Sequence, residues 1–278
     1  SQHLGNSPDA LSGVLDGAFG DVLRNAKRPL ILLGRGALAR PDGAAVLAAA
    51  WGLAQSINAV TAEWNGFNLL HLQGGQVAAL DLNFLPGQGG KDLGAMFGGG
   101  VDALWLLGAD GFDPALIAPG TFVVYQGHHG DRAAARADVI LPGSTYLEKD
   151  GTYVNTEGRV QRGHRAVFPP GDAREDWRIL RAAGEALGVT LPYDDQFALR
   201  ARMQEVNPIF RRLDETPAPA PVSATPAGDA GALGAAWFSP AITNYWQADA
   251  ISRASEVMAE CARTHAPTPA QDQMVAAE

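Results

Sequence analysis

The sequence predicts an α/β fold: an open, mainly parallel sheet with helices on both faces, followed by a linker and a helical C-terminal docking arm. Three observations predict it. Short apolar runs near 30–33, 104–107, 121–125 and 138–141 are continuous rather than alternating, the pattern of strands covered on both faces of a parallel sheet. Stretches between these runs carry apolar residues at helical spacing, so strands and helices alternate. Beyond Gly188 the character changes, and residues 216–236 become rich in proline, alanine and glycine. The expected division is an α/β domain over 1–190, a short helix and Pro/Ala-rich linker over 191–236, and an aromatic and helical arm over 237–278.

In chain order, Leu11, Val14, Leu15, Val22 and Leu23 predict a helix within 9–26, interrupted by Gly17 and Gly20. A buried strand at 30–33 runs into Gly34-Arg35-Gly36, and residues 43–55 read as a helix. Such a βα turn is where parallel sheets build sites. The GxG lacks a third glycine at the expected place, so it reads as a structural turn rather than a phosphate cradle. Residues 57–61 read as the next strand and 68–82 as a helix with Leu69, Leu72, Val77 and Leu80 inward. The glycine-rich stretch 87–100 is expected to be mobile or folded against a partner.

Residues 103–108 form the clearest strand, with Asp110 in the turn at its C-terminal end; the plain reading is that Asp110 caps the next segment. The strand at 121–126 ends in Gly127-His128-His129-Gly130-Asp131. Neighbouring strand side chains point to opposite faces, so His128 and His129 are expected to diverge, giving a polar turn and no metal site.

The stretch 137–188 organises the chain. Ala137-Asp138-Val139-Ile140-Leu141-Pro142 is a short strand closed by proline. Residues 151–160 alternate β-formers with turn residues, a bent strand or hairpin. Glu148, Asp150, Glu157 and Arg159 supply charge without a nucleophile or metal set, so none is read as catalytic. Glu157 and Arg159 are expected to be partly buried and hydrogen-bonded. Asp172 with Glu175 reads as a capping box, and Trp177, Leu180, Arg181, Gly184 and Leu187 share a helical face ending at Gly188. Residues 194–206 read as an amphipathic helix. Trp237, Phe238, Tyr245 and Trp246 are too apolar to dangle in water and predict docking on this domain or on another subunit. Ile251, Ala254, Met258 and Cys261 mark one face of a final helix, with Cys261 a buried structural thiol.

Composition sets bounds. In 278 residues, 46% hydrophobic and 18% charged, one substantial core is possible. A net charge of −9 argues against a nucleic-acid partner and against direct binding to anionic lipid. No apolar run approaches the ~20 residues that span a bilayer, so direct membrane insertion is not expected. Only Lys27, Lys91 and Lys149 are lysines, a weak hint of a GC-rich bacterial genome. Cys261 is the single cysteine, and a cluster usually takes four thiolates, so no metal or cluster is expected in this segment.

The motif ADVILP…EKDGTYVNTEGRVQ…PPGDAREDW resembles the molybdopterin oxidoreductase superfamily. The closer likeness is to the large iron–sulfur subunit of respiratory complex I, the NADH:quinone oxidoreductase. His3-Leu4-Gly5-Asn6-Ser7-Pro8, Gln76-Val77-Ala78-Ala79-Leu80-Asp81-Leu82, Tyr125-Gln126-Gly127-His128-His129-Gly130-Asp131 and Asp249-Ala250-Ile251-Ser252-Arg253-Ala254-Ser255 carry it. The resemblance implies a structural segment, the C-terminal part of a longer polypeptide that begins upstream of Ser1. The [4Fe-4S] and [2Fe-2S] clusters would belong to that N-terminal part. Electrons would pass from NADH through FMN and these clusters to a quinone. It implies a hetero-oligomer with other peripheral-arm subunits, on the cytoplasmic face of a bacterial inner membrane or the mitochondrial matrix side. It further implies a vestigial cofactor cleft, with Asp110, His128, Glu157 and Arg159 as candidates. Alternatives are a fragment of an active molybdopterin enzyme such as a formate dehydrogenase, or a nucleotide-binding module using Gly34-Arg35-Gly36. Too few strand signals follow Gly188 for the β-barrel of the catalytic relatives.

Overall fold

In the computed structural model the described residues are 3–218 and 230–265. A 3₁₀ turn at Pro8–Leu11 and helix α1 (Ala18–Asn25) lead into strand β1 (Ile31–Gly34), α2 (Arg35–Leu38) and α3 (Gly43–Ser56). Strand β2 (Phe67–Leu70) and α4 (Gln76–Asp81) follow. A short α5 (Leu93–Ala95) continues into a π turn at Met96–Gly100, then come β3 (Ala103–Leu107), β4 (Phe122–Gly127), α6 (Arg132–Arg136) and β5 (Val139–Pro142). Strands β6 (Gly151–Val154) and β7 (Val160–Gly163) precede α7 (Asp176–Ala186) and α8 (Gln196–Val206). Helices α9 (Ala250–Ala254) and α10 (Glu256–His265) end the described chain.

The α/β class holds and its pairing is mainly parallel, in separate ladders. β1 pairs parallel with β2, and β3-β4-β5 form a second parallel sheet in that order. β6 and β7 form the expected antiparallel hairpin. Among the described residues, packing seals one face of each parallel ladder more fully than the other. Leu33, Val46 and Ala50 pack with Phe67 and Leu69, so α3 seals one face of the first ladder. Leu104, Leu106, Val123 and Tyr125 pack with Phe97, Ile117, Ala133 and Ala134, sealing one face of the second. The alternate residues Leu30, Leu32, Leu70, Leu107, Phe122 and Val139 are exposed. Continuous apolar runs therefore mark two apolar faces, of which the described residues cover one.

Several local expectations are corrected. Residues 57–61 are the turn after α3, where Ala59 is buried and Val60 makes only an isolated bridge with Asn65. The strand lies at Phe67–Leu70, overlapping the start of the stretch 68–82 read as a helix, because those residues align in register with Ile31–Gly34; α4 keeps the helical part. The helix of 9–26 is broken into a 3₁₀ turn and α1. The glycine-rich stretch is not wholly loose: Asp92 accepts from the Ala95 N–H at 2.8 Å, and Phe97 is buried against Phe112. Helix α7 starts three residues later than the Asp172 pattern predicts. Glu175 is its N-cap, and Gly188 follows it at positive φ as expected.

The arm folds back on the domain. Phe238 and Leu233 join the core of the first ladder, and the Phe238 N–H donates to the Asn6 carbonyl at 2.7 Å. The final helix is two helices broken at Ser255, and Cys261 is half-buried rather than buried. Tyr245 and Trp237 stay exposed. Of the linker prolines, Pro217 is described and Pro219, Pro221 and Pro226 lie outside the described residues.

Candidate functional site

The candidate residues separate into two groups. Asp110 and His128 lie just beyond the C-terminal ends of β3 and β4, neighbouring parallel strands. Glu157 and Arg159 lie in the turn between β6 and β7. Glu157 is exposed, contrary to expectation, because the hairpin turn holds it outward: Asn155 Oδ1 accepts from the Glu157 and Arg159 N–H groups, both at 3.0 Å. Arg159 is half-buried and donates to Thr216 Oγ1 at 2.8 Å. Gly158 between them has φ +79°, and a Cβ there would stand 2.9 Å from the Pro217 ring. This part of the motif fixes a turn against residues 216–217.

At the strand ends a polar network is built. Asp110 is 7% exposed and does not cap the next segment; Asp113 does that, accepting from the Ala115 N–H. Asp110 Oδ2 instead accepts from the Tyr125 hydroxyl at 2.8 Å, while Oδ1 is buried without a partner. Burial, and then the Asp110 carboxylate, push the Tyr125 phenol far above its usual range, so it stays a donor. Gln126, fully buried, accepts from Trp105 Nε1 at 3.2 Å and donates to Asp176 Oδ1 at 3.0 Å. Lys149 pairs with Asp176 and donates to the Ser144 carbonyl at 3.1 Å. Glu148 accepts from the Thr145 N–H at 2.9 Å, and Asp150 faces His164 at 3.4 Å. Glu175, buried, accepts from Trp177 Nε1 at 3.0 Å and Arg178 at 3.3 Å. Lys149 thus ties its loop to the first residue of α7, while Glu148 and Asp150 hold the loops themselves.

His128 and His129 do not diverge. They sit in a bend beyond β4 rather than on the strand, so alternation does not apply, and their Nδ1 atoms meet at 2.6 Å. Burial, then the neighbouring His129 and Lys149, hold His128 below the usual imidazole range, and a neutral ring can take the donor or the acceptor role. Among the described residues no group of three His, Cys, Asp or Glu side chains could hold a metal ion.

The turns beyond β1 and β4 are filled by contacts within the chain. The βα turn after β1 is closed by the chain itself: a Cβ on Gly36 would stand 2.6 Å from the Ala241 Cβ. The glycine therefore serves close packing, as the structural reading of Gly34-Arg35-Gly36 expects. After β4, Asp131 is paired with Arg253 of α9. A groove of about 320 Å³ lies elsewhere, lined by Leu11, Leu15, Ala49, Gly52, Leu53 and Leu233, with no charged group to hold a phosphate.

Sequence reasoning missed Gln126, Asp176 and Arg253. The signals that could have found them were a glutamine in an otherwise apolar strand, and an acid beside tryptophan at a helix start.

The family model described as Molybdopterin oxidoreductase matches residues 1–186. A second, for the C-terminal domain of NADH-ubiquinone oxidoreductase G, matches residues 216–261. The chain is 43% identical over 263 residues to the mitochondrial NADH dehydrogenase [ubiquinone] iron-sulfur protein 1 of Solanum tuberosum, covering 94% of this chain and 35% of that protein. It is 42% identical over 268 residues to the mitochondrial NADH-ubiquinone oxidoreductase 78 kDa subunit of Neurospora crassa, with the same coverage. It is 37% identical over 265 residues to the NADH-ubiquinone oxidoreductase 75 kDa subunit of Reclinomonas americana, covering 94% of this chain and 38% of the relative. The chain spans about a third of the length of the curated relatives it matches.

Proposed function

Because the chain belongs to the molybdopterin oxidoreductase family and continues into a match to the NADH-ubiquinone oxidoreductase G C-terminal domain, we propose that it is a structural part of the large iron–sulfur subunit of a proton-translocating NADH:quinone oxidoreductase. The observation that carries this reading is the likeness to complex I subunits at 37–43% identity over 94% of the chain. The whole enzyme passes electrons from NADH through FMN and iron–sulfur clusters to a quinone. The [4Fe-4S] and [2Fe-2S] clusters sit in the rest of the longer polypeptide, since one cysteine cannot supply a four-thiolate set here.

This chain's own work is to brace. Its charged motif residues bind loops to helices, and the bare sheet faces around Leu30, Leu32, Leu70, Leu107 and Phe122 suit burial against neighbouring protein. Those neighbours are the other peripheral-arm subunits and the remainder of the same polypeptide. No described helix is long and apolar enough to cross a membrane. The complex stands on the cytoplasmic face of a bacterial inner membrane, or on the matrix side of a mitochondrial one. The closed turns at Gly36 and Asp131 disfavour both an active molybdopterin enzyme and a nucleotide-binding module.

The test is affinity purification of the full-length tagged protein from membranes of its own cell. The expected eluate contains partner subunits, FMN, iron and NADH:quinone reductase activity. Stoichiometric molybdenum with formate-type dehydrogenase activity, and no response to NADH, overturns the proposal.

A further inference from the structure

We propose that the C-terminal arm is a built-in lid over the ligand crevice at the C-terminal ends of both parallel ladders, seated by Ala241 on Gly36 and by Arg253 on Asp131. The inference rests on contacts within this chain and does not depend on membership of a respiratory complex.

The crevice outside the carboxyl ends of parallel strands is where open α/β sheets bind ligands. Each ladder has such an end here, and the arm reaches both. At the first, Gly36 lies in the opening turn of α2, directly beyond β1, and the Ala241 methyl fills the space a side chain would take. The arm is anchored beside this point. Arg40 Nη1 donates to the Trp237 carbonyl at 2.8 Å, the Arg40 guanidinium lies 4.9 Å from the Phe238 ring centre, and the Gly234 N–H donates to Asp42 Oδ2 at 2.8 Å.

At the second ladder, Asp131 follows β4 by four residues and pairs with Arg253, with side chains 17% and 20% exposed. Removing one partner of so enclosed a pair leaves a charge without its counter-ion. Arg253 is presented by a preset turn. Asp249 accepts from the Ile251 and Ser252 N–H groups at 2.8 and 3.0 Å, and Ser252 Oγ accepts in return from the Asp249 N–H. The Arg253–Asp131 pair also lies close enough to Tyr125 for both charges to act on its phenol. The seated Arg253 and Asp131 thus lie within electrostatic reach of Tyr125, which donates to the buried Asp110. The chain supplies its own occupant in the place where parallel sheets hold ligands.

The experiment is hydrogen exchange, read by mass spectrometry, on the full chain carrying Arg253→Ala, the exchanged pair Asp131→Arg with Arg253→Asp, or Gly36→Val. A lid predicts at least tenfold faster exchange at 108–111 and 127–132 in Arg253→Ala, with strands 103–107 and 122–126 unchanged, and recovery in the exchanged pair. Gly36→Val, which leaves the ion pair untouched, should speed exchange at 34–37 and 239–243. Unaltered exchange at the strand-end turns in both single variants overturns the proposal. So does a uniform rise that includes the strands, because the arm would then be an integral part of the core.

Discussion

Gln126 donates from Nε2 to Asp176 Oδ1 at 3.0 Å, tying the end of β4 to the first residue of α7. The tie joins the second parallel ladder to the helix that follows the hairpin. With Trp105 on its other side, Gln126 spends its amide wholly within the protein.

Replacing Gln126 with leucine keeps the volume and removes both hydrogen bonds. The expected cost is about 1–3 kcal/mol, because the Trp105 indole N–H loses its acceptor and Asp176 Oδ1 a donor. The melting temperature should fall by several degrees. Urea unfolding of the two proteins, with an unchanged slope, is the measurement.

Tyr125→Phe removes the donor to Asp110 Oδ2 and leaves a buried carboxylate whose other oxygen is already unpartnered. We expect a loss of about 1–3 kcal/mol in the single variant. The Tyr125→Phe, Asp110→Ala pair should lose less than the sum of the single changes. An additive result in a double-mutant cycle would show that the two groups do not couple.

Gly158→Ala should destabilise by about 1–2 kcal/mol, since the left-handed backbone at φ +79° disfavours a side chain and the new methyl meets Pro217. Gly158→Asn should lose less of the backbone component. Thermal melts of both variants separate strain from collision.

The clamp on residues 234–238 should be acid-sensitive in a defined window. The Arg40 hydrogen bond, then the Gly234 N–H, lower the Asp42 pKa from 3.8 to about 2. A group depressed in the folded state contributes stability above its unfolded pKa and loses it as pH falls through the folded one. The contribution should be complete above about pH 4 and vanish near pH 2. Carboxyl titration by NMR, with Asp42→Asn as the reference, should show this.

How much was legible follows from which contacts are local. Strands β3, β4 and β5 and the β6–β7 hairpin could be read directly, because their apolar runs are bounded by glycine, proline or polar turns. Strand β2 could not: Leu69 and Leu72 mimic helical spacing, and only the partner β1, distant in sequence, makes the segment extended. The start of α7 was misplaced because Asp172 and Glu175 satisfy a capping pattern that the backbone does not use. Asp110 and His128 could be placed beyond β3 and β4 because apolar runs precede them, but not the contacts they make. The Tyr125 and His129 contacts, and the Asp131–Arg253 pair, depend on how the strand ends and the arm fold, which no local pattern encodes.

The 2.6 Å approach of a hypothetical Gly36 side chain to the Ala241 methyl carries an evolutionary consequence. The two positions share room for one methyl group between them. A lineage that acquires alanine at 36 can keep the arm seated only by giving up the methyl at 241. Substitutions at these sites, one in the first βα turn and one near the end of the chain, should therefore appear as compensating pairs. Gly36→Ala combined with Ala241→Gly should melt closer to the parent than Gly36→Ala alone.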